Sequence, residues 1–206
     1  KLKQLVAKGQ CGRIYYIHSE RTNLGPFRTD VNSVWDLAAH DVSIFNYLLS
    51  AMPREVSARG GRYLQKHLED VAFISLVYPM GILVNIHVSW LDPRKVRQIT
   101  VVGDKKMVIW DDLDHMGPIK IYNRQVEQHN FYETFGEFYL LAKEGSITIP
   151  RVESYEPLKT QDAHFLECVA KRRKPLTDGA SALDAVRILC AIEASLARKG
   201  VPVPVR

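Results

Sequence analysis

This chain of 206 residues has little cysteine, no long apolar run and no glycine-rich nucleotide-binding turn. Its three cysteines, Cys11, Cys168 and Cys190, stand far apart and form no C-x-x-C pair. That spacing argues against a zinc or redox site, and the histidines show no ligand spacing either, so no metal site is predicted. No run of about 18 apolar residues occurs, so no membrane span is expected. No signal peptide is recognisable, and free cysteines suit a reducing compartment, so we expect a cytoplasmic protein.

The composition predicts an ordinary globular protein, with 46% hydrophobic and 25% charged residues. We expect a single domain spanning residues 1–206. The net charge is +5, and the densest basic run, residues 171–174, suits the solvated end of a helix. Nucleic-acid binding would need a basic stripe interleaved with exposed aromatic residues, which the sequence lacks. A mild positive charge does suit a small anionic substrate.

Apolar periodicity predicts helices towards both ends of the chain and strands between them. Helical spacing begins at Leu2, directly after the first residue, so we expect that an N-terminal part is missing; a processed chain would explain this equally well. The expected elements are a short helix before Gly9, a strand at 13–20, a polar loop at 21–33, a helix at 34–52, strands at 55–63, 70–78, 82–90, 96–102, 106–110 and 119–123, helices at 160–173 and 181–199, and an extended tail.

Two hairpins decide the predicted fold class. Residues 82–90 alternate with a period of two and follow a Pro79-Met80-Gly81 turn, and a second turn stands at Gly103-Asp104. Hairpins pair strands antiparallel, and the helices lie before and after the strands rather than between them. The sequence therefore predicts an α+β fold, an open and mostly antiparallel sheet with helices on one face. A Rossmann domain would need alternating strands and helices with a G-x-G-x-x-G turn, so we expect it to be absent from this chain.

The helix predicted at 34–52 carries a polar stripe beside its apolar arc. Asp36 and His40 are four residues apart, so their side chains can meet on one face. A carboxylate bonded to one imidazole nitrogen orients the ring, and the other nitrogen can act as a general base towards a hydroxyl. Asp36 can equally be only a capping residue, three positions after the expected N-cap Ser33, so spacing alone leaves both interpretations open. The stripe comprises Asp36, His40, Ser43 and Tyr47.

Asp41 falls inside the apolar arc, where an unpaired carboxylate is costly. It should be paired with an arginine or with backbone amides of the preceding loop, unless the helix is rotated and Asp41 lies at its edge. We therefore favour a structural role for Asp41 over a functional one.

Substrate contacts are expected from the loop before this helix. Arginine suits phosphate or carboxylate groups, and asparagine suits sugar hydroxyls. Trp90 continues the apolar side of its strand, so core packing is expected, whereas Asn85 and His87 lie on the other face as exposed or interfacial residues. The candidates are Arg28 and Asn32 foremost, then Arg21 and Asn23, and Tyr47 on the helix.

At this helix the sequence resembles a known family. The string DLAAH at residues 36–40 resembles the D-x-G-x-H motif of the Gfo/Idh/MocA oxidoreductases. Residues 23–41 and 87–112 resemble the subgroup that acts on UDP-sugars, the 3-dehydrogenases of UDP-N-acetylglucosamine or its uronic acid, and YEPL at 155–158 and HFLECV at 164–169 extend the likeness. Two positions depart from the pattern: Ala38 replaces the motif glycine, and Ser43 stands where a further aspartate is frequent, so no role is carried over to Asp41.

The resemblance implies a function that the spacing alone does not. It implies the dihydrodipicolinate-reductase-like C-terminal domain, whose open sheet face builds homodimers or homotetramers. It implies NAD or NADP, bound mainly by the protein's own N-terminal Rossmann domain, which also supplies a lysine from an E-K-P motif; no Glu-Lys-Pro occurs here. The family's catalytic aspartate and histidine fall on Asp36 and His40, so His40 would transfer the proton while a hydroxyl of a sugar or UDP-sugar is oxidised.

We therefore expect an enzyme fragment that is inactive without its Rossmann domain. A non-enzymatic oligomerisation or ligand-binding module on the same fold is the alternative, and a basic nucleic-acid-binding domain is a more distant one.

Overall fold

A computed structural model describes residues 1–123, 145–153 and 155–206. Its described residues contain four α-helices, α1 (Leu2–Ala7), α2 (Ala39–Leu49), α3 (Pro157–Ala170) and α4 (Gly179–Ala197), with a π-helical turn at Val34–Ala38 and a 3₁₀ turn at Pro79–Gly81. The strands are β1 (Ile14–Leu24), β2 (Glu55–Gly61), β3 (Val71–Val77), β4 (Leu83–Ser89), β5 (Leu91–Gly103), β6 (Met107–Asp111), β7 (Ile119–Tyr122), β8 (Ile147–Thr148) and β9 (Val203–Pro204).

Within the described residues these strands form one sheet in the order β8-β7-β6-β5-β1-β4-β3-β2-β9. Adjacent strands are antiparallel except for β1 and β4, which run parallel. The predicted open, mostly antiparallel α+β sheet is thus confirmed. Both predicted hairpins are present, β3 with β4 and β5 with β6.

The two faces of the sheet differ in what covers them. One face carries Ile17, Ile74 and Ile86, which are fully buried, and packs with α2 and α4 into the core. The opposite face carries alternate residues of the same strands and is more open. Alternation along the strands therefore separates a core face from a free face, as the period of two predicts.

Several predicted boundaries need correction. Strand β1 continues to Leu24, so Arg21 and Asn23 lie in a strand rather than in the loop, and β5 begins at Leu91 rather than at residue 96. The predicted helix 34–52 begins with the π-helical turn and ends at Leu49, because Ser50 has a φ of 51° and cannot continue it towards Pro53.

The two C-terminal helices begin earlier than expected. The carboxylate of Glu156 caps α3 and that of Asp178 caps α4, so these helices start at Pro157 and Gly179 rather than at residues 160 and 181. The reason is that a carboxylate just before the first helical residue accepts backbone N–H groups as well as a hydroxyl does.

Candidate active site

The polar stripe starts where Asn32 caps the π-helical turn. The Asn32 Oδ1 accepts the Trp35 backbone N–H at 3.2 Å. The Ser33 hydroxyl, expected as the cap, is buried and has no hydrogen-bond partner among the residues that the structure describes. The Asn32 Nδ2 donates to Glu69 Oε2 at 2.9 Å and to Glu193 Oε1 at 2.7 Å. Asn32 is only 4% exposed with both amide hydrogens used, which corrects its prediction as a substrate contact. Its role is to fix the start of the helix.

Glu69 can reach Asn32 because the residue of β2 that lies against the Glu69 side chain is a glycine, Gly60. A Cβ at Gly60 would lie 2.6 Å from Glu69 Cγ, so any other residue would displace that side chain. Arg62 neutralises Glu69, since its Nη2 lies 2.6 Å from Oε1. The helix start is thereby tied to the β2–β3 connection and to α4.

Asp36 lies in the π-helical turn and is held from two sides. Its Oδ2 accepts the indole N–H of Trp90 at 2.9 Å, and its Oδ1 lies 3.5 Å from Arg28 Nη1. Trp90 is fully buried, as its position on the apolar side of the strand predicts. The contact with Asp36 was missed, although a buried indole N–H needs an acceptor and that need was the available signal.

His40 is exposed one helical turn beyond Asp36. No hydrogen bond or ion pair joins these two side chains in the described part of the chain, because the Asp36 carboxylate is turned to Trp90 and Arg28. The carboxylate–imidazole contact predicted from their spacing is therefore not formed in this structure. The two residues share a surface rather than a hydrogen bond.

Asp41, the residue after His40, is buried and paired. Arg21 donates from Nε to Oδ2 at 2.9 Å and from Nη2 to Oδ1 at 3.2 Å. Burial raises the pKa of Asp41 above its ordinary value, and the Arg21 guanidinium opposes that rise. The expected pairing of Asp41 with an arginine is confirmed. That arginine is Arg21, which is also a candidate substrate contact. Any substrate contact by Arg21 stays a prediction.

Arg28 and Asn23 flank the site in different ways. Arg28 is exposed and pairs with Asp30 at 2.5 Å as well as with Asp36, so its guanidinium stands at the surface between two carboxylates. Gln65 donates to the Arg28 carbonyl oxygen at 2.6 Å, which joins the β2–β3 connection to this loop. Asn23 donates to the Gly25 carbonyl oxygen and is half-buried. Among these candidates Arg28 has the most accessible charge.

Two cavities open along α2 beyond His40. The larger, of about 460 Å³, is lined by Ser43, Tyr47 and, from the turn before α4, Thr177. The smaller, of about 310 Å³, lies on the other side of Tyr47, whose ring is half exposed. Tyr47 therefore separates two recesses that start one turn beyond His40.

The open sheet face carries the residues predicted to be exposed or interfacial. Tyr16, Phe73 and Leu83 are roughly half exposed there, at 46%, 55% and 47%. The His87 ring stacks on Phe73 with centroids 4.4 Å apart, and its Nδ1 lies 4.0 Å from Glu20. Burial lowers the pKa of His87, and the Glu20 carboxylate opposes that change.

Two absences hold for the described residues. No group of three or more histidine, cysteine, aspartate or glutamate side chains is placed to hold a metal ion there. In the same part of the chain, none of the helices combines the length and hydrophobicity needed to cross a bilayer.

Comparison with solved structures shows the same fold in several oxidoreductases. Aldose-aldose oxidoreductase from Caulobacter crescentus, solved with glycerol, superimposes with a TM-score of 0.77 at 18% identity, over 98% of this chain and 59% of that one. UDP-N-acetylglucosamine 3-dehydrogenase GnnA from Acidithiobacillus ferrooxidans gives 0.75 at 18% identity, over 95% and 60%. The WlbA dehydrogenase from Bordetella pertussis, in complex with NADH and UDP-GlcNAcA, gives 0.72 at 20% identity, over 100% and 59%. The chain thus spans about 60% of the length of these structures.

Sequence comparison identifies the family. A search of curated protein sequences gives no match. The family model described as the GFO/IDH/MocA C-terminal domain matches residues 1–109, more than half of the chain. The resemblance carried by DLAAH is thereby confirmed, and this chain belongs to the GFO/IDH/MocA C-terminal domain family.

Proposed function

We propose that this chain is the substrate-side domain, residues 1–206, of an NAD(P)-dependent dehydrogenase that oxidises a hydroxyl of a sugar or nucleotide sugar. The observation that carries the proposal is the exposed His40 imidazole, one helical turn after a fixed Asp36 carboxylate and one turn before Ser43, which lines a cavity with Tyr47. A bound nicotinamide would supply the hydride acceptor. The described residues contain no dinucleotide-binding turn, so the cofactor is held mainly by a Rossmann domain outside this chain.

His40 is the proton acceptor in this proposal. Its ring stands at the surface, where a sugar hydroxyl can approach a nitrogen, and histidine is the side chain that most often serves as a general base. Removing the hydroxyl proton in step with hydride loss leaves a carbonyl on the sugar and a protonated His40.

Asp36 supports this step through its outward oxygen. Oδ2 accepts the Trp90 indole N–H, whereas the contact of Oδ1 within the described ranges is a longer one, 3.5 Å to Arg28 Nη1. An anionic substrate would draw the exposed Arg28 guanidinium towards itself, because arginine pairs well with phosphate and carboxylate groups. Oδ1 would then be available to a substrate hydroxyl or to the protonated His40.

A UDP-sugar is the preferred substrate class. Two neighbours of the same fold are, by their names, a UDP-N-acetylglucosamine 3-dehydrogenase and a dehydrogenase bound to NADH and UDP-GlcNAcA. The net charge of +5 and the accessible Arg28 suit a diphosphate. The half-exposed Tyr16, Phe73 and Leu83 favour a homodimer or homotetramer built through the open sheet face.

The test is NADH formation by the full-length protein with UDP-N-acetylglucosamine or its uronic acid. His40→Asn should lower kcat by about a hundredfold or more while cofactor affinity stays nearly unchanged. His115→Asn is the matched control, since His115 is exposed on the connection between β6 and β7. Unaltered turnover in His40→Asn would remove His40 from the mechanism, and turnover by residues 1–206 alone would show that no second domain is needed.

The alternative is a non-enzymatic oligomerisation module, which the exposed apolar residues of the sheet face also suit. The full-length protein would then give no turnover with either nicotinamide cofactor and any sugar nucleotide tried, yet light scattering would report an oligomer. A strict monomer would contradict both the interface and this alternative.

A further inference from the structure

Trp90 stands where three parts of the chain meet, between the end of β4 and the start of β5. Its backbone N–H donates to the Asp70 carbonyl oxygen at 2.9 Å, and its own carbonyl oxygen accepts the Gly25 N–H at 3.0 Å. Its side chain is fully buried. Backbone and ring are therefore both fixed, so the indole N–H points in one direction only.

The indole N–H of Trp90 points at the Asp36 carboxylate. Nε1 donates to Oδ2 at 2.9 Å, and an indole nitrogen can only donate, so Oδ2 must remain an acceptor. Asp36 itself belongs to a π-helical turn, a geometry that is common at functional sites. The carboxylate would otherwise rotate about its side-chain bonds; the indole holds one oxygen inward and turns the other to the surface.

We infer that Trp90 is a positioning residue for the reaction, acting through Asp36; this rests on the proposed function. It keeps Oδ1 directed to the surface that His40 shares. A supporting residue of this kind acts by fixing the orientation of a group that contacts the substrate, so its loss lowers kcat more than substrate affinity.

The first experiment tests the hydrogen bond in residues 1–206 without any assay of activity. The chain has three tryptophans, so a ¹⁵N–¹H spectrum gives three indole signals at most, and Trp90 is assigned by its loss in Trp90→Phe. Asp36→Asn should move the Trp90 signal upfield, because a charged acceptor is replaced by a neutral one. An unmoved signal would overturn the inference.

The second experiment measures turnover in the full-length protein. Replacing Trp90 by 3-benzothienylalanine removes only the N–H and keeps the ring shape, which avoids the cavity that Trp90→Phe leaves. We expect kcat to fall about tenfold, with KM changing less than about twofold, and the effect to vanish when Asp36→Asn is already present. The same replacement at Trp35 is the matched control, since the hydrogen bond that Trp35 makes to Asn32 comes from its backbone N–H and not from its indole.

The outcomes separate the two proposals. If Asp36→Asn lowers turnover and the Trp90 replacement does not, the positioning role is overturned and the proposed function stands. If Asp36→Asn itself leaves turnover unchanged, the role of Asp36 is overturned and the positioning role with it. An equal loss from the Trp90 replacement with and without Asp36→Asn would mean that Trp90 acts through packing, which also overturns the inference.

Discussion

Arg21 forms a bidentate ion pair with Asp41, the residue that follows the exposed His40. The two bonds measure 2.9 Å and 3.2 Å, and the side chains are only 11% and 2% exposed. Breaking a buried pair by removing one partner leaves an uncompensated charge in the interior. Arg21→Met should therefore lower the free energy of unfolding by about 3–5 kcal/mol, measured by urea denaturation.

Arg28→Met is the control for that prediction, because Arg28 pairs with Asp30 at the surface, where solvent screens an ion pair and its loss changes the stability little. The double variant Arg21→Met with Asp41→Leu should recover part of the lost stability, since no buried charge remains. An Arg21→Met variant as stable as Arg28→Met would show that the buried pair does not hold β1 to α2.

Asn32 gives a second prediction, because its amide donates to two carboxylates at once. Asn32→Asp keeps an oxygen for the Trp35 N–H but loses both donors and adds a charge beside Glu69 and Glu193. It should lower the free energy of unfolding at neutral pH by about 3 kcal/mol or more, beyond the roughly 1–2 kcal/mol expected for the lost cap in Asn32→Ala.

The pH dependence distinguishes charge from packing at this position. Neighbouring carboxylates raise the pKa of an added one, so Asn32→Asp should recover stability as the pH falls towards about 4, whereas Asn32→Ala should not. Thermal unfolding over that range is the measurement. If the Tm of both variants changes equally with pH, the added carboxylate does not interact with Glu69 and Glu193.

These residues also mark what the sequence could predict. The alternation of apolar and polar residues in β4, with the turn before it, predicted the hairpin and the burial of Trp90. Both could be predicted because a period of two is visible in residues that are close together in the sequence. The need of Asp41 for a partner, either an arginine or backbone amides, followed from its place in the apolar arc, but which of the two it is did not. The orientation of Asp36 did not follow, because its partner Trp90 is 54 positions away and only the folded sheet brings the two together. Asn32 was misassigned for the same reason, since Glu193 approaches it from the far end of the chain.

His87 on the open sheet face predicts a loss of stability in acid. Burial lowers its pKa; Glu20 and Asp92 oppose this, and His18 adds to it. The unfolded chain, with a histidine pKa of about 6.5, then binds the proton more readily than the folded one. The contribution of His87 is fully present above that pH and is lost as the pH falls from there towards the lower folded-state value.

The corresponding measurement compares Tm at about pH 7.5 and about pH 5. His87→Gln should show a smaller drop in Tm than the unaltered chain, because its side chain does not titrate. His115→Gln, at an exposed position, should keep the full drop. If both variants drop equally, another group is responsible for the acid sensitivity.

Tyr47 provides a prediction for substrate binding, since its ring separates the cavities of about 460 Å³ and 310 Å³ beyond His40. The non-reacting part of a nucleotide sugar is longer than one helical turn, so it is long enough to enter one of these recesses when the sugar hydroxyl is at the imidazole. Tyr47→Ala in the full-length protein should raise KM for the sugar nucleotide about tenfold and change kcat little, because the lost contact acts equally before and during the reaction. Tyr63→Ala is the control, as Tyr63 is 74% exposed on the β2–β3 connection and lines neither cavity. A Tyr47→Ala variant with unchanged KM would place the rest of the substrate elsewhere, on the Arg28 side of the helix.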